Sequence, residues 1–441
     1  MISADQVTAL APDASSFKAG KALAAKSKWS DLGHADQMIW GLAKGSGSKP
    51  YQTQVDIVEF AYKCCCPSRQ FACKHAIGLM FLAVDDLSLL TEKELPDWVQ
   101  VWADARQQKQ ETKAKTAKSK AASKAKNPEA AEKTKKKRAA RVQEGVSFLQ
   151  DFLLDIARQG LGQANIRERD FWGTVSRRLI DCQASGLASA VGRISDLPHN
   201  TSDTRFLHEI GALYMLTHSY AKKGSLSDAQ QQEIDQRIGW QVAKETVLES
   251  KHIKDDWFVA FRTVTKPAQV TVYSTWLKGF QSKRWALLLS FSAVGSAPSA
   301  LWPVGSTVTT ELAFYPGSNP DRALPVDESA PANMEHHCDV ETDSVNSLLT
   351  RVAESLVANP WQTRFPFVLS AQPAAVGQQT VLVDSDGIAL PWHAVANQRL
   401  VLSTVCGGRS SRVAGVWDGY QCELYAAEDN GSWFGMRDQY T

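Results

Sequence analysis

The sequence predicts an α+β multidomain protein with an N-terminal ββα module, a central all-α domain and a C-terminal β-rich domain. Three observations carry that prediction. Five cysteine or histidine side chains, four of them a candidate ligand set, fall from Cys64 to His75 and run directly into the apolar stretch AIGLMFLAV. Apolar residues then recur at helical spacing from Val142 onward. After Asp256 the pattern changes to short runs rich in β-branched and aromatic residues.

The expected boundaries are 1–105 for the module with its flanking helices, 106–141 for a basic low-complexity linker, 142–253 for the helical domain and 254–441 for the β-rich domain with one inserted helix. A chain of 441 residues is too long for one ordinary core.

In the N-terminal region, AGKALAAKSK fits a short helix packed on the module, and Ser30-Asp31 before LGHADQMIWGLA has the form of a capped helix start. YQTQVDI alternates, placing Tyr51, Thr53, Val55 and Ile57 on one strand face. A second strand, roughly Phe60 to Cys66, returns beside it. If that strand is extended, Cys64 and Cys66 project from one face and Cys65 from the other. Cys73 and His75 repeat the two-residue spacing. Positions two apart on a helix do not share a face, so Cys73 must lie just outside the first helical turn and His75 inside it.

Three sulfurs and one imidazole gathered this way suit a tetrahedral Zn2+ ion. Four protein donors leave no vacancy for substrate, which makes the expected site structural. Lys63, Arg69 and Lys74 stand close enough in sequence to offset the net negative charge of three thiolates on a divalent ion. Cys65 could replace Cys64 or Cys66 as a ligand, but a spectator on the opposite strand face is the favoured reading.

The pattern Cys64-x-Cys66 followed by Cys73-x-His75 resembles the SWIM-type zinc finger, whose signature is CxC…CxH on a hairpin followed by a helix. Trp40-Gly41, the run from Gly45 through Tyr51, and Cys66-Pro67-Ser68-Arg69 are similar to the bacterial branch of that family. The resemblance covers roughly residues 30 to 90. Cys65, where a small polar residue is commoner, and Ala72, where proline often precedes the second pair, depart from the pattern without removing a ligand. The resemblance implies a zinc-binding adaptor that engages protein or nucleic acid. Bacterial relatives often accompany MoxR-type AAA ATPases and von Willebrand factor A proteins, which implies a partner of that kind.

Downstream, a helix near Pro96 would stack Trp98, Val101, Trp102 and Ala105 into the core. Between Arg106 and Arg141 there are fourteen Lys or Arg against three Glu, while the whole chain has a formal charge of +2, so the remainder is acidic. This stretch has nothing apolar to pack and reads as a mobile, partly helical tether. Lys133, Lys135, Lys136, Lys137 and Arg138 are its candidate nucleic-acid contacts, a solvated spacer being the equally weighted alternative.

Val146, Leu149, Leu153 and Ile156 open the helical domain, with further helices near 166–184, 204–222 and 226–250. His199, His208, His218 and His252 are isolated. The β-like runs are WFVAFRTV, QVTVYSTW, RWALLLSF, TVTTELAFY, TVLVD, IALPW, RLVLSTV, SRVAGVW and YQCELYAA, interrupted by a helix near Val340 to Ala358. Pro316 to Met334 reads as irregular, and Asp384 to Gly387 as a hairpin turn.

His336, His337 and Cys338 are adjacent, so their side chains diverge and a second metal site is disfavoured. Cys406 to Arg412 lacks the ending of a nucleotide loop and is read as a sharp turn between strands. No GxSxG, HExxH or Rossmann fingerprint is present, so no enzyme activity is expected. Eight cysteines, four of them in one candidate site, point to a reducing compartment, the cytoplasm by default. The N-terminus reads as lacking a signal peptide. The longest apolar run, Ala76 to Val84, is well short of the ~20 residues a membrane span needs.

Overall fold

A computed structural model describes residues 7, 14–44, 49–57, 61–68, 72–106, 128–162, 165–266, 270–293, 302–327, 334–335, 340–395 and 398–436. The fold is mixed α+β and multidomain, with helices central to the chain and sheets on both sides in sequence.

The N-terminal module begins with helix α1 (Ala14–Lys21) and contains strands β1 (Trp29–Ala35), β2 (Met38–Ala43), β3 (Tyr51–Asp56) and β4 (Ala61–Cys64). Helix α2 (Lys74–Asp85), the short strand β5 (Thr91–Glu92) and helix α3 (97–106) complete it. Its sheet has the order β4-β3-β2-β1-β5, so the β3–β4 hairpin is one end of a five-stranded sheet. Of the twelve residues of α2, nine from His75 to Ala83 are buried, because the helix is covered by the sheet on one side and by α1 on the other. Glycine allows that close approach: a Cβ on Gly78 would stand 2.9 Å from the Gly20 carbonyl oxygen and 2.7 Å from Leu23 Cβ. Phe17 of α1 meets Phe81 of α2 edge to face at 5.6 Å.

The segment expected to be a helix from Ser30 is instead the β1–β2 hairpin. Asp36, at its turn, has φ +47°, and Asp31, at a bulge between Ser30 and Gly33, has φ +52°. Those values belong to a turn and a bulge and not to a helix. Pairing of β2 with β3 from Met38↔Asp56 to Ala43↔Tyr51 decides the matter through contacts remote in sequence. The stripe expected in the core on α3 is also corrected. Val99 is the buried anchor, Trp98 and Trp102 are half-buried, and Val101 is 66% exposed.

Helix α4 (Pro128–Gln159) runs without a break across the boundary expected at 141/142. Its Val142, Val146, Leu149, Leu153 and Ile156 face the core of the helical region. There they meet α5 (Arg169–Asp181), α6 (Ser185–Ser195), α7 (Asp203–Ala221) and α8 (Asp228–Ile238), with the short α9 (Lys244–Leu248) following. The helix α6 was not among the expected ones. It is short and rich in small residues, but Leu187, Ala188, Val191 and Ile194 are buried at helical spacing.

Two six-stranded sheets follow. The first contains β6 (His252–Thr265), β7 (Val270–Gly279), β8 (Trp285–Ala293), β9 (Thr307–Phe314), β10 (Arg322–Pro325) and β11 (Met334–Glu335) in the order β10-β8-β7-β6-β9-β11. Strand β10 falls inside the stretch expected to be irregular. After α10 (Val345–Ala358), the second sheet contains β12 (Phe365–Val376), β13 (Gln379–Asp384), β14 (Ala389–Pro391), β15 (Ser411–Trp417), β16 (Cys422–Asp429) and β17 (Ser432–Gly435). Its order is β14-β13-β12-β15-β16-β17. Both sheets place a three-strand meander beside a fourth strand that returns to pair with the first: β8-β7-β6-β9 in one and β14-β13-β12-β15 in the other. Phe258, Phe261, Trp276 and Trp285 of the first sheet pack against Val368, Val416 and Tyr425 of the second. The second sheet's other face is covered by α10 and α11 (Gln398–Cys406).

RLVLSTV, expected as a strand, therefore lies in a helix. The buried positions are Gln398, Leu402 and Cys406, while Leu400 and Thr404 between them are exposed; a strand would place all five on one face, whereas a helix separates them. Gly407 (φ +55°) and Gly408 (φ +78°) then turn the chain from helix into strand, not from strand into strand. Strand β12 was missed because Pro366 and Pro373 interrupt it. It pairs with β15 over Phe365 to Ala371 and with β13 over Ala371 to Val376, so each half has one edge without a ladder partner, and proline is tolerated.

Candidate metal centre

Strand β4 ends at Cys64, and the chain turns through Cys65 to Ser68 before α2. Cys73 is the residue preceding α2, in extended conformation at φ −69° and ψ 155°, and His75 lies inside the first turn. For Cys73 and His75 this is the placement that their spacing requires; the strand expected to reach Cys66 ends at Cys64, so Cys66 comes to the site from the turn that follows. Sulfur atoms of Cys64, Cys66 and Cys73 and an imidazole nitrogen of His75 all lie within 4.8 Å of one another. Cys64 Sγ is 3.8 Å from His75 Nδ1. For metal–sulfur distances of about 2.3 Å and metal–nitrogen distances of about 2.0 Å, a tetrahedron has edges of about 3.5 to 3.8 Å. The Cys64–His75 distance is at that figure and the whole set lies within an ångström or so of it, and no other group of three or more His, Cys, Asp or Glu among the described residues gathers in this way.

The surroundings favour thiolates. Backbone N–H groups of Ser68 and Ala76 donate to the sulfurs of Cys66 and Cys73, and Thr53 Oγ1 is 3.2 Å from Cys64 Sγ. The three thiols cannot all ionise side by side without a cation. Hydrogen bonds from Cys64 and Cys73 hold the Cys66 thiol far below its ordinary value, whereas the hydrogen bond to Cys66, reinforced by that to Cys73 and by burial, pushes Cys64 far above it. Burial, then the charge on Cys73, raises the Tyr62 phenol. A bound divalent ion would supply the missing positive charge and draw the three sulfurs to one centre. His75 is buried, and its ring lies 5.0 Å from that of Tyr51.

Cys65 is exposed and points away from the cluster. Its sulfur accepts the Gln52 N–H at 3.1 Å. Lys63 and Lys74 are exposed beside the site, while Arg69 lies outside the described residues, as does the run 45–48. Thr53 and Tyr51, which sequence reasoning placed on one strand face without assigning them to the site, line the cysteines from β3. The alternation of YQTQVDI was the signal for them.

On α4, Lys133, Lys135, Lys136 and Lys137 are exposed, with Lys136 3.8 Å from Glu132. Arg138 is engaged differently. Its guanidinium stacks 4.3 Å from the Trp240 ring and donates to the Gly239 carbonyl at 3.0 Å. His336, His337 and Cys338 lie outside the described residues. Of the isolated histidines, His208 Nδ1 is 2.9 Å from the Tyr420 hydroxyl, His218 stacks on Tyr214, and His252 Nε2 is 2.7 Å from the Leu248 carbonyl. The Asp384 carboxylate at the hairpin turn accepts from the N–H groups of Asp386 and Ile388 and, through its other oxygen, from Val345 at the start of α10.

The sequence family described as the SWIM-associated four-helix bundle domain matches residues 137–238, the stretch that runs from within α4 to the end of α8. No curated protein matches the chain, and no solved structure does. A SWIM-associated bundle in the centre and a Cys3His cluster ahead of it support a zinc-finger-type protein. No described helix is long and apolar enough to cross a membrane.

Proposed function

We propose that the chain is a zinc-stabilised adaptor in which Cys64, Cys66, Cys73 and His75 bind one structural Zn2+ and the module so formed, a SWIM-type finger, engages a protein partner in the cytoplasm. The observation that carries this reading is the convergence of three sulfurs and one imidazole within 4.8 Å. Four protein donors fill a tetrahedral ion, so the ion fixes the hairpin to the helix and activates no water. The chain supplies no catalytic step in this reading. An ATPase of the MoxR type, or a von Willebrand factor A protein working with one, is the partner class that the resemblance implies.

Elemental analysis of the purified protein tests the reading. One zinc per chain, lost with Cys66→Ala and retained with Cys65→Ser, is the expected result. Protein isolated without a stoichiometric transition metal would overturn it.

A second reading is favoured by the exposure of Lys133, Lys135, Lys136 and Lys137 on one helix. In that reading they contact the phosphates of DNA or RNA. Affinity for a random duplex should then fall linearly in log–log terms with salt, and the slope should decrease by about 0.9 for each phosphate contact removed. A salt-insensitive partner interaction that survives deletion of 106–141 separates the adaptor from the nucleic-acid binder.

A further inference from the structure

Between the helical bundle and the second sheet lies a cleft of about 530 Å³. Helices α6 and α7 form one wall, and α10 with the segments 360–365 and 417–420 forms the other. Contacts between the two regions hold it open. Arg205 pairs with Asp418 at 2.9 Å, the Tyr420 hydroxyl meets His208, and the Trp361 indole donates to the Ala212 carbonyl at 3.0 Å. The volume and mostly apolar lining are those of a preformed ligand site at a domain interface.

Two opposite charges in this cleft act on each other without closing an ion pair. Arg237 is bound to Glu233 at 2.7 Å, and Asp418 is taken by Arg205. Arg193 of α6 and Glu209 of α7 make no hydrogen bond or ion pair with any described residue. Arg193 as a whole is exposed, but the cleft walls partly desolvate its guanidinium and lower its pKa, Glu209 acting in the opposite sense and Arg237 in the same one. Around the pair stand Leu213, Leu216, Val352 and Trp361, with Leu349 and Leu356 of α10 still 41% and 38% exposed.

A simple anion would engage Arg193 but stand against the like charge of Glu209, which already acts on that guanidinium. An uncharged apolar molecule would leave both. The last residue of a peptide offers a carboxylate, an amide N–H a few atoms away and a side chain, which match a guanidinium, a carboxylate and an apolar wall in turn. The cleft also has more room than one amino acid needs.

We propose that this cleft binds the carboxy terminus of a polypeptide ending in apolar residues, with Arg193 on the terminal carboxylate and Glu209 accepting from the last backbone N–H. None of these residues belongs to the N-terminal module, so the site stands apart from the metal reading, and zinc content of the same samples reports on that reading separately.

The test is calorimetric titration of the full chain with three probes: N-acetyl-leucyl-leucine, its carboxy-terminal amide, and free leucine. The acid should bind saturably and the amide about tenfold more weakly or less tightly still, the loss expected for one charge-assisted hydrogen bond. Arg193→Met should abolish the preference for the acid without changing thermal unfolding. Leu349→Asn, which alters only the apolar wall, should weaken acid and amide alike. Equal binding of acid and amide, equal binding of free leucine, no saturable binding at millimolar acid, or an unchanged preference in Arg193→Met would each overturn the proposal.

Discussion

Replacing Cys66 by alanine removes one of four donors and the sulfur that receives the Ser68 N–H, while adding no bulk. The described part of the N-terminal module, including α1 through α3, is small enough that its intrinsic stability is on the order of 5–14 kcal/mol. A structural zinc ion in a small finger contributes on the order of 10 kcal/mol apparent at neutral pH. Losing the ion therefore removes a quantity comparable to everything that holds the module together. The helical bundle has its own core from Val142 to Ile238, which contains no residue of the metal cluster. Unfolding should accordingly become local. Hydrogen exchange followed by mass spectrometry would find protection lost across β3, β4 and α2 and retained in α4 to α8. Cys65→Ser, on an exposed side chain outside the cluster, should keep both the metal and the protection. A Cys66→Ala protein that holds full zinc and unchanged protection would refute the ligand assignment, and so would zinc loss on Cys65→Ser.

Three other outcomes follow from the packing. Burial raises the Asp321 carboxyl to about 7, against the opposing charges of Arg351 and Arg284. The folded state thus holds a proton that the unfolded chain releases near 3.8, so stability falls as pH rises from about 4 to about 7. Asp321→Asn should remove that loss, raising Tm at pH 8 more than at pH 5 in calorimetry; an equal effect at both would contradict it. Arg138→Ala should destabilise the helical region by about 1–2 kcal/mol through the lost Trp240 stacking and Gly239 hydrogen bond, whereas Lys135→Ala should be near neutral in urea unfolding. Gly78→Ala should cost about 1–3 kcal/mol because its Cβ would press on the Gly20 carbonyl and Leu23; unchanged stability would show that α1 shifts freely.

Local chemistry was legible where one periodicity or one spacing carried the signal. Cys64-x-Cys66 after a strand and Cys73-x-His75 at a helix start point to the gathering of four donors seen in the structure, the second pair because helix geometry fixes side-chain directions over two residues and the first because the chain turns directly after Cys64. The stripe from Val142 to Ile156 likewise located the core face of α4. Readings failed where two periodicities compete. LGHADQMIWGLA and RLVLSTV each suit helix or strand on local grounds, and pairing with β3 settled one while packing of Leu402 and Cys406 on the second sheet settled the other.

By itself the sequence determined which side chains could gather a metal, where charge accumulates and which stretches repeat with the period of a helix, since each depends on neighbours along the chain. Only the tertiary structure decided that Arg138 is tied to Trp240 while the lysines beside it are free to solvent. It also decided that Arg193 and Glu209 face one cleft with residues as distant as Tyr420. The physical reason is the same in both cases: these contacts join segments more than a hundred residues apart, and a guanidinium's partner or its lack of one is set by what the fold carries to it.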